Sequence, residues 1–437
     1  MEWWVVLSFF FGGVVLILLS GFPVAFAFLA LDLLGVWIFM GSAGFENVAL
    51  HIFTALSSFV LAPVPLFILM GEVMYHSRLA DNTLDVLDRW IGKVPGRLGV
   101  LASVSGVIFA ATSGSSMANT AMLGTVLLPE MRKRGYSVGM SVGPILGSGG
   151  LAILIPPSAL AVVQASIAQI SVAKLLMGGV MPGILLGVIF CAYIILTAIF
   201  KPSVAPAYPV SDSSLGEKLF LTVKHILPVA LIIFSVIGFI VLGLATPTEA
   251  AASGAIATVL VSIVYGRLTK KMIMASLKGT VEISVMVFMI IAASKTFSSV
   301  LAYTGASSGL TNLVQGTSLP PMLVLIVMMV IVGILGCFME GVSIMMICLP
   351  VFMPIVTLLG FDPVWFGVLF LINIELGQLT PPFGMLLFVM KGVAPPDVKM
   401  EEIIWAAVPY MIFDILVMAM IMIWPNIALW LPSFVNG

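Results

Sequence analysis

The chain has 437 residues, 61% hydrophobic and only 8% charged, with a net charge of −1 and a mean hydropathy of +1.24. Soluble domains run about 45–50% apolar and about 25% charged, so lipid must be the solvent for most of this chain. The near-zero charge offers nucleic acid nothing to bind. Cys191, Cys337 and Cys348 lie in apolar runs, and His51, His76 and His225 are scattered, so no disulfide framework or metal cluster is indicated.

No Lys or Arg precedes the first apolar run, which is therefore expected to be a retained transmembrane helix and not a cleaved signal. A spanning helix needs about 20 apolar residues. Spans are predicted near 3–20, 23–40, 50–77, 138–165 and 175–200, then near 225–244, 247–266, 280–303, 362–390 and 404–431. Two apolar stretches resist this treatment. One, 97–128, is interrupted at Thr112-Ser113-Gly114-Ser115-Ser116, and the other, 320–359, near Gly336 and Gly341. The arms of the first are short for crossing, and together with the internal repeat described next this makes both expected re-entrant hairpins. Residues 79–93 read as an amphipathic surface helix, with Leu84, Leu87, Trp90 and Ile91 opposite Asp81, Asp85 and Asp88. The polar segment 201–224 reads as a linker. With the N-terminus outside, sixteen of the eighteen basic residues, Arg78 among them, fall in cytoplasmic segments; Lys174 and Lys295 are the exceptions. The expected fold class is an all-α polytopic membrane protein with both termini periplasmic.

An internal repeat shows when the chain is shifted by 225 residues. Residues 128–158 then overlie 353–383 without a gap, matching Pro129 to Pro354, Gly135 to Gly360, and Pro156-Pro157 to Pro381-Pro382. This predicts two units, 1–200 and 225–437, joined by 201–224. Each has five spans and one hairpin, an odd number of crossings, so the two are inverted relative to each other, as in many secondary transporters.

The spans 138–165 and 362–390 contain doubled prolines, which no ordinary helix continues. Unwound carbonyls in lipid need partners, and a hard cation such as sodium is one that takes oxygen ligands. Ser113, Ser115, Ser116 and Asn119 crowd the first hairpin tip, and Met339, Glu340, Gly341 and Ser343 the second. An arm beginning at a tip presents free N–H groups and a positive dipole end, which suits a carboxylate. Ionisable residues inside spans are costly and usually paired. Glu72 and Lys295 occupy nearly equivalent repeat positions and are expected to pair, Glu249 to cap a helix, and Glu340 and Glu375 to support the site or an interface.

Pro-Leu-Phe-Ile-Leu-Met-Gly-Glu (65–72), Ser-Gly-Ser-Ser-x-x-Asn (113–119), Ile-Pro-Pro-Ser (155–158), Ala-Thr-Pro-Thr-Glu-Ala-Ala-Ala (245–252) and Thr-Pro-Pro-Phe-Gly (380–384) resemble the large membrane subunit of tripartite ATP-independent periplasmic (TRAP) transporters, along essentially the whole chain. The resemblance implies a sodium-driven elevator-type fold in the bacterial inner membrane, with Na+ as coupling ion and no organic cofactor. It also implies a separate small four-helix membrane subunit and a soluble periplasmic binding protein that delivers an organic acid such as a C4-dicarboxylate or a sialic acid. By the same resemblance, sodium ligands would come from Ser113, Ser115, Asn119, Gly147, Gly149 and Pro156 in one site. In the other they would come from Gly336, Met339, Gly341, Thr380 and Pro381. Substrate contacts would come from Ser115, Ser116, Asn119, Pro157, Gly341, Ser343 and Pro382.

Two alternatives share these features: a stand-alone sodium–dicarboxylate symporter or ion exchanger of related fold, and a passive channel. Paired broken helices fit alternating access better than a channel. An intramembrane enzyme is disfavoured, because no His lies deep in a span to serve a nucleophilic Ser and no paired-carboxylate motif is present.

Overall fold

The computed structural model describes residues 2–20, 22–42, 44–77, 79, 81–208 and 214–435, and these are helical with no strand among them. The first half runs α1 (Trp3–Leu19), α2 (Val24–Gly35, continued by a wider turn Val36–Met40), α3 (Gly44–Leu56), α4 (Pro63–Ser77) and α5 (Asp81–Ile91). Next come α6 (Arg97–Ser113), α7 (Ser116–Lys133), α8 (Val138–Gly150), α9 (Ala159–Ala168) and α10 (Val172–Phe200). The second half runs α11 (Leu215–Val241), α12 (Pro247–Val264), α13 (Lys270–Tyr303) and α14 (Ala306–Gly316). It ends with α15 (Pro321–Gly336), α16 (Gly341–Leu358), α17 (Pro363–Leu379), α18 (Met385–Val393) and α19 (Met400–Ile423). Seven helical stretches among the described residues are long and apolar enough to cross a membrane, and the chain is a polytopic membrane protein.

Several of these elements recur at a spacing of 225. Helices α5 and α14 have 11 residues each, and α7 and α16 have 18 each. Both doubled prolines, Pro156-Pro157 and Pro381-Pro382, are cis. After α7 and α16 the chain turns at Gly135 (φ 80°) and Gly360 (φ 73°), a left-handed conformation that glycine adopts at low cost. There the N–H of Tyr136 reaches back to the Met131 carbonyl (3.0 Å), and that of Phe361 to Val356 (3.1 Å), closing each helix with the bond of a glycine C-cap. The next helices start on side-chain caps: Ser137 accepts from Met140 N–H (3.3 Å), and Asp362 accepts from Val364 (2.8 Å) and Trp365 (3.0 Å).

The helices pack as two groups. In one, α13 lies against α2, α3 and α4, and α4 against α12. In the other, α8 packs on α6, α7 and α19, while α17 packs on α15 and α19. Across the halves, α18 meets α7 and α16 meets α9. The groups touch where α4 and α13 meet α6, α9 and α16.

Most basic segments gather at one end. Arg89 pairs with Glu217, Arg97 clasps Asp88 (2.6 Å), Arg132 reaches Asp397 (3.1 Å), and Arg267 donates to the Ser77 carbonyl (3.2 Å). Tyr208 lies under the Arg134 guanidinium (3.7 Å) and near that of Arg97 (5.3 Å). Burial pushes its hydroxyl up to about 12, so the ring faces the two cations uncharged.

The structure corrects several sequence expectations. The run 50–77 is not one helix. It breaks after α3 at Ser58, whose backbone is extended (φ −70°, ψ 122°), and a short turn, Phe59–Leu61, then leads into α4, which opens on Pro63, where the missing N–H costs no helical bond. The linker 201–224 is not wholly irregular, since α11 starts at Leu215 on a Ser214 cap (3.2 Å). Glu72 does not pair with Lys295 among the described residues. Its carboxylate meets His76 at 3.3 Å, one helical turn on. Glu249 does cap, exchanging bonds with Thr246 at the start of α12. The amphipathic segment forms α5 with Leu84 and Leu87 buried, whereas Trp90 is half exposed and donates to Thr222 (2.7 Å). Arg78 and the side chain of Asp81 lie outside the described residues.

Candidate functional site

Helices α6 and α7 form one hairpin and α15 and α16 the other, each facing a broken helix. At the first tip, Ser115 caps α7 by accepting from Ala118 N–H (3.4 Å). One turn in, the Asn119 amide donates to the Gly106 carbonyl on α6 (3.1 Å) and, at 3.4 and 3.5 Å, toward the Ser148 and Gly149 carbonyls of α8. Ser116 donates to the Gly150 carbonyl (3.4 Å). Gly114, at φ 59°, packs on the Pro157 carbonyl. One hydrogen-bonded layer thus joins tip, arm and break.

The second tip is tied differently. The Phe383 N–H, beyond the Pro381-Pro382 break, donates to the Cys337 carbonyl (3.1 Å). Gly341 packs on Ile374 and near the Gln378 amide. The Thr380 hydroxyl returns to the Leu376 carbonyl (2.6 Å).

Between the tips and the inner faces of α4 and α13 lies a cavity of about 600 Å³. The first residues of four helices border it: Ser116 of α7, Ala159 of α9, Gly341 of α16 and Met385 of α18. Each start carries N–H groups without intrahelical partners and a partial positive charge. Glu72, His76, Glu340 and Gln378 add side-chain polarity to the wall.

Of the residues predicted to touch substrate, Ser115, Ser116, Pro157 and Gly341 line this cavity. Asn119 and Ser343 are buried and Pro382 is exposed, and none of the three lines it. Of those predicted to hold sodium, Gly149 and Pro156 are buried near the first tip. Gly147 packs on the Tyr410 ring, Gly336 on the Gly377 backbone, and Met339 is partly buried against the core. Thr380 and Pro381 form the second break, and the side chain of Ser113 lies outside the described residues. Sequence reasoning placed Glu340 at the second tip as a supporting group and gave Gln378 no role, and both line the cavity. The repeat carried a signal for Glu340, which stands 225 residues after Ser115, but Glu340 makes no cap bond and its carboxylate lines the cavity.

Asn119 Oδ1, Thr120 Oγ1, Ser343 Oγ and Gln378 Oε1 are buried with no hydrogen-bond partner. Orphaned oxygens are rare in native interiors. These oxygens fall into two pairs, Asn119 with Thr120 at the first hairpin and Ser343 with Gln378 by the second, and oxygen is the ligand type that hard cations take.

Comparison with known proteins agrees with this geometry. Residues 11–427 match the family model described as the Tripartite ATP-independent periplasmic transporter, DctM component. The chain is 32% identical over 392 residues to the C4-dicarboxylate TRAP transporter large permease protein DctM of Pseudomonas aeruginosa, covering 90% of each. It is 30% identical over 394 residues to the 2,3-diketo-L-gulonate TRAP transporter large permease protein YiaN of Escherichia coli, covering 90% of this chain and 91% of that one. Among solved structures, its fold is similar to the YdaH transporter of Alcanivorax borkumensis, with TM-score 0.64, 14% identity and 90% of each chain covered. The chain therefore belongs to the tripartite ATP-independent periplasmic transporters, as their large permease subunit, the DctM component.

Proposed function

We propose that this permease imports an organic acid across the inner membrane, coupled to sodium. The substrate carboxylate would sit in the cavity between the hairpin tips. The observation that carries this reading is the meeting of four helix N-termini on one cavity, an arrangement that attracts an anion without a dedicated Lys or Arg. The relatives' names extend it to C4-dicarboxylates and sugar-derived acids. In this reading sodium is taken up by the orphaned oxygens around Asn119 and Ser343. The matching element lengths at spacing 225 support two inverted repeats with re-entrant hairpins. The two packing groups support an elevator in which α6–α10 and α15–α19 move against α1–α4 and α11–α13. A small membrane subunit and a periplasmic binding protein complete the transporter, as its tripartite family implies.

The test is uptake into proteoliposomes that hold the chain with its small partner. Labelled C4-dicarboxylates, sugar acids and neutral sugars are offered with and without a binding protein and an inward sodium gradient. Uptake confined to an acid and dependent on both supports the proposal. Uptake of neutral sugars, or uptake indifferent to sodium, overturns it.

A further inference from the structure

Two carboxyl groups stand outside the transport cavity and are used by nothing described so far. Glu375 on α17 is 1% exposed and Asp414 on α19 is 0% exposed. All four of their carboxylate oxygens lack a hydrogen-bond partner, and each group lies within electrostatic reach of the other.

Packing on α8 places them together. Gly143 and Gly147 lie against Tyr410, and one turn further along α8 a Cβ built on Gly150 would fall 1.4 Å from Glu375 Oε1. Asp414 follows Tyr410 by one turn on α19, so it comes to the same level. Gly149, by contrast, faces Thr120 on α7, so the carboxyl groups and the Asn119 layer occupy different faces of α8. Glycine at 150 leaves open the space that the Glu375 carboxyl group occupies.

On α19, Tyr410 is the titratable neighbour one turn before Asp414, while Glu401 and Glu402 stand more than three turns away from Asp414 at its start. Helix α10 contributes Cys191 and Tyr193 toward Tyr410, while its Lys174 lies 17 residues before Cys191; α16 carries Cys348 and α18 carries Lys391. Lys391 is engaged by the Val398 carbonyl (2.5 Å). No ion pair joins a cation to either carboxyl group among the described residues.

Two ionised carboxylates cannot face each other in a dry interior without compensation. A proton compensates with no added volume, by converting one group into an O–H donor to the other, and such a pair titrates as a unit. We propose that Glu375 and Asp414 form a buried proton-binding site in which one proton bridges the two carboxyl groups, separate from the sodium and substrate sites. The bridge joins α17 to α19 against α8 and lowers the charge that this helix group carries within the bilayer.

Infrared difference spectroscopy of the purified full-length chain tests this. At neutral pH the wild type should show a protonated-carboxyl C=O band. Glu375→Gln and Asp414→Asn should each lose that same band, and replacing sodium with choline should leave it unchanged. If either variant fails to fold, the other carries the test. If both fail, ¹³C labelling of glutamate and, separately, of aspartate in the wild type should each shift one shared band. A spectrum in which neither substitution nor label touches a protonated-carboxyl band overturns the proposal. So does a band that appears only when sodium is withdrawn, which would make the pair a sodium site.

Discussion

Gly336, closing the first arm of the second hairpin, and Gly377, in the broken helix α17, pass with their backbones in contact. A Cβ built on either would fall 2.6 Å from the other's Cα. Small residues at such a crossing let helices approach within the membrane. Because the obstacle is backbone, Gly336→Ala must push the hairpin off α17. Overpacking of this kind costs about 1–3 kcal/mol. The variant is expected to unfold at a lower temperature in detergent and to lose most uptake. Unchanged stability and uptake would show that the contact is not tight.

Asn119 holds three segments with one amide, and its Oδ1 has no protein partner. Asn119→Ala leaves buried carbonyls unsatisfied, at about 1–3 kcal/mol, and removes an oxygen assigned to sodium. Uptake should fall more than about tenfold, and the sodium concentration for half-maximal rate should rise. A fall in maximal rate at unaltered sodium dependence would leave Asn119 a purely structural role.

Asp362 caps α17 with two bonds, at 2.8 and 3.0 Å. Asp362→Ala should cost about 1 kcal/mol of stability and leave the sodium dependence of uptake intact. Thermal unfolding and a sodium titration separate these effects.

The Tyr208 hydroxyl is buried without a partner while its ring faces Arg134 and Arg97. Tyr208→Phe keeps the ring and removes an orphaned polar atom, so stability should hold or rise. Tyr208→Ala removes the cation–π contacts, which are worth about 0.5–2 kcal/mol, and should fall below both. A Phe variant less stable than wild type would mean that the hydroxyl is bonded in solution.

Much of this architecture was legible because glycine, proline and serine interrupt otherwise unbroken apolar runs. Thr112-Ser113-Gly114-Ser115-Ser116 and the two doubled prolines marked the first tip and both breaks, since each removes helical hydrogen bonds where lipid offers none. The turn between α3 and α4 was hidden because Phe59-Val60-Leu61 is itself apolar, so a hydropathy reading runs straight through it. The Glu72–Lys295 expectation failed for another reason. Equivalence by repeat says that two positions are alike, whereas contact depends on how the halves dock, and His76 lies one turn from Glu72 on the same helix. Gln378 was missed as a cavity residue because nothing local distinguishes a side chain that faces a cavity from one that faces a neighbouring helix.

Relative movement of the two helix groups can be tested with a reversible tether. Ile68 on α4 and Leu160 on α9 belong to different groups and border the same cavity. In a background lacking Cys191, Cys337 and Cys348, the pair Ile68→Cys and Leu160→Cys is joined in proteoliposomes by a short bis-maleimide with a reducible centre. Movement of one group against the other predicts that sodium-driven uptake stops on cross-linking and returns when the linker is reduced. Uptake at the full rate in quantitatively cross-linked protein would mean that the two groups do not move past each other during transport.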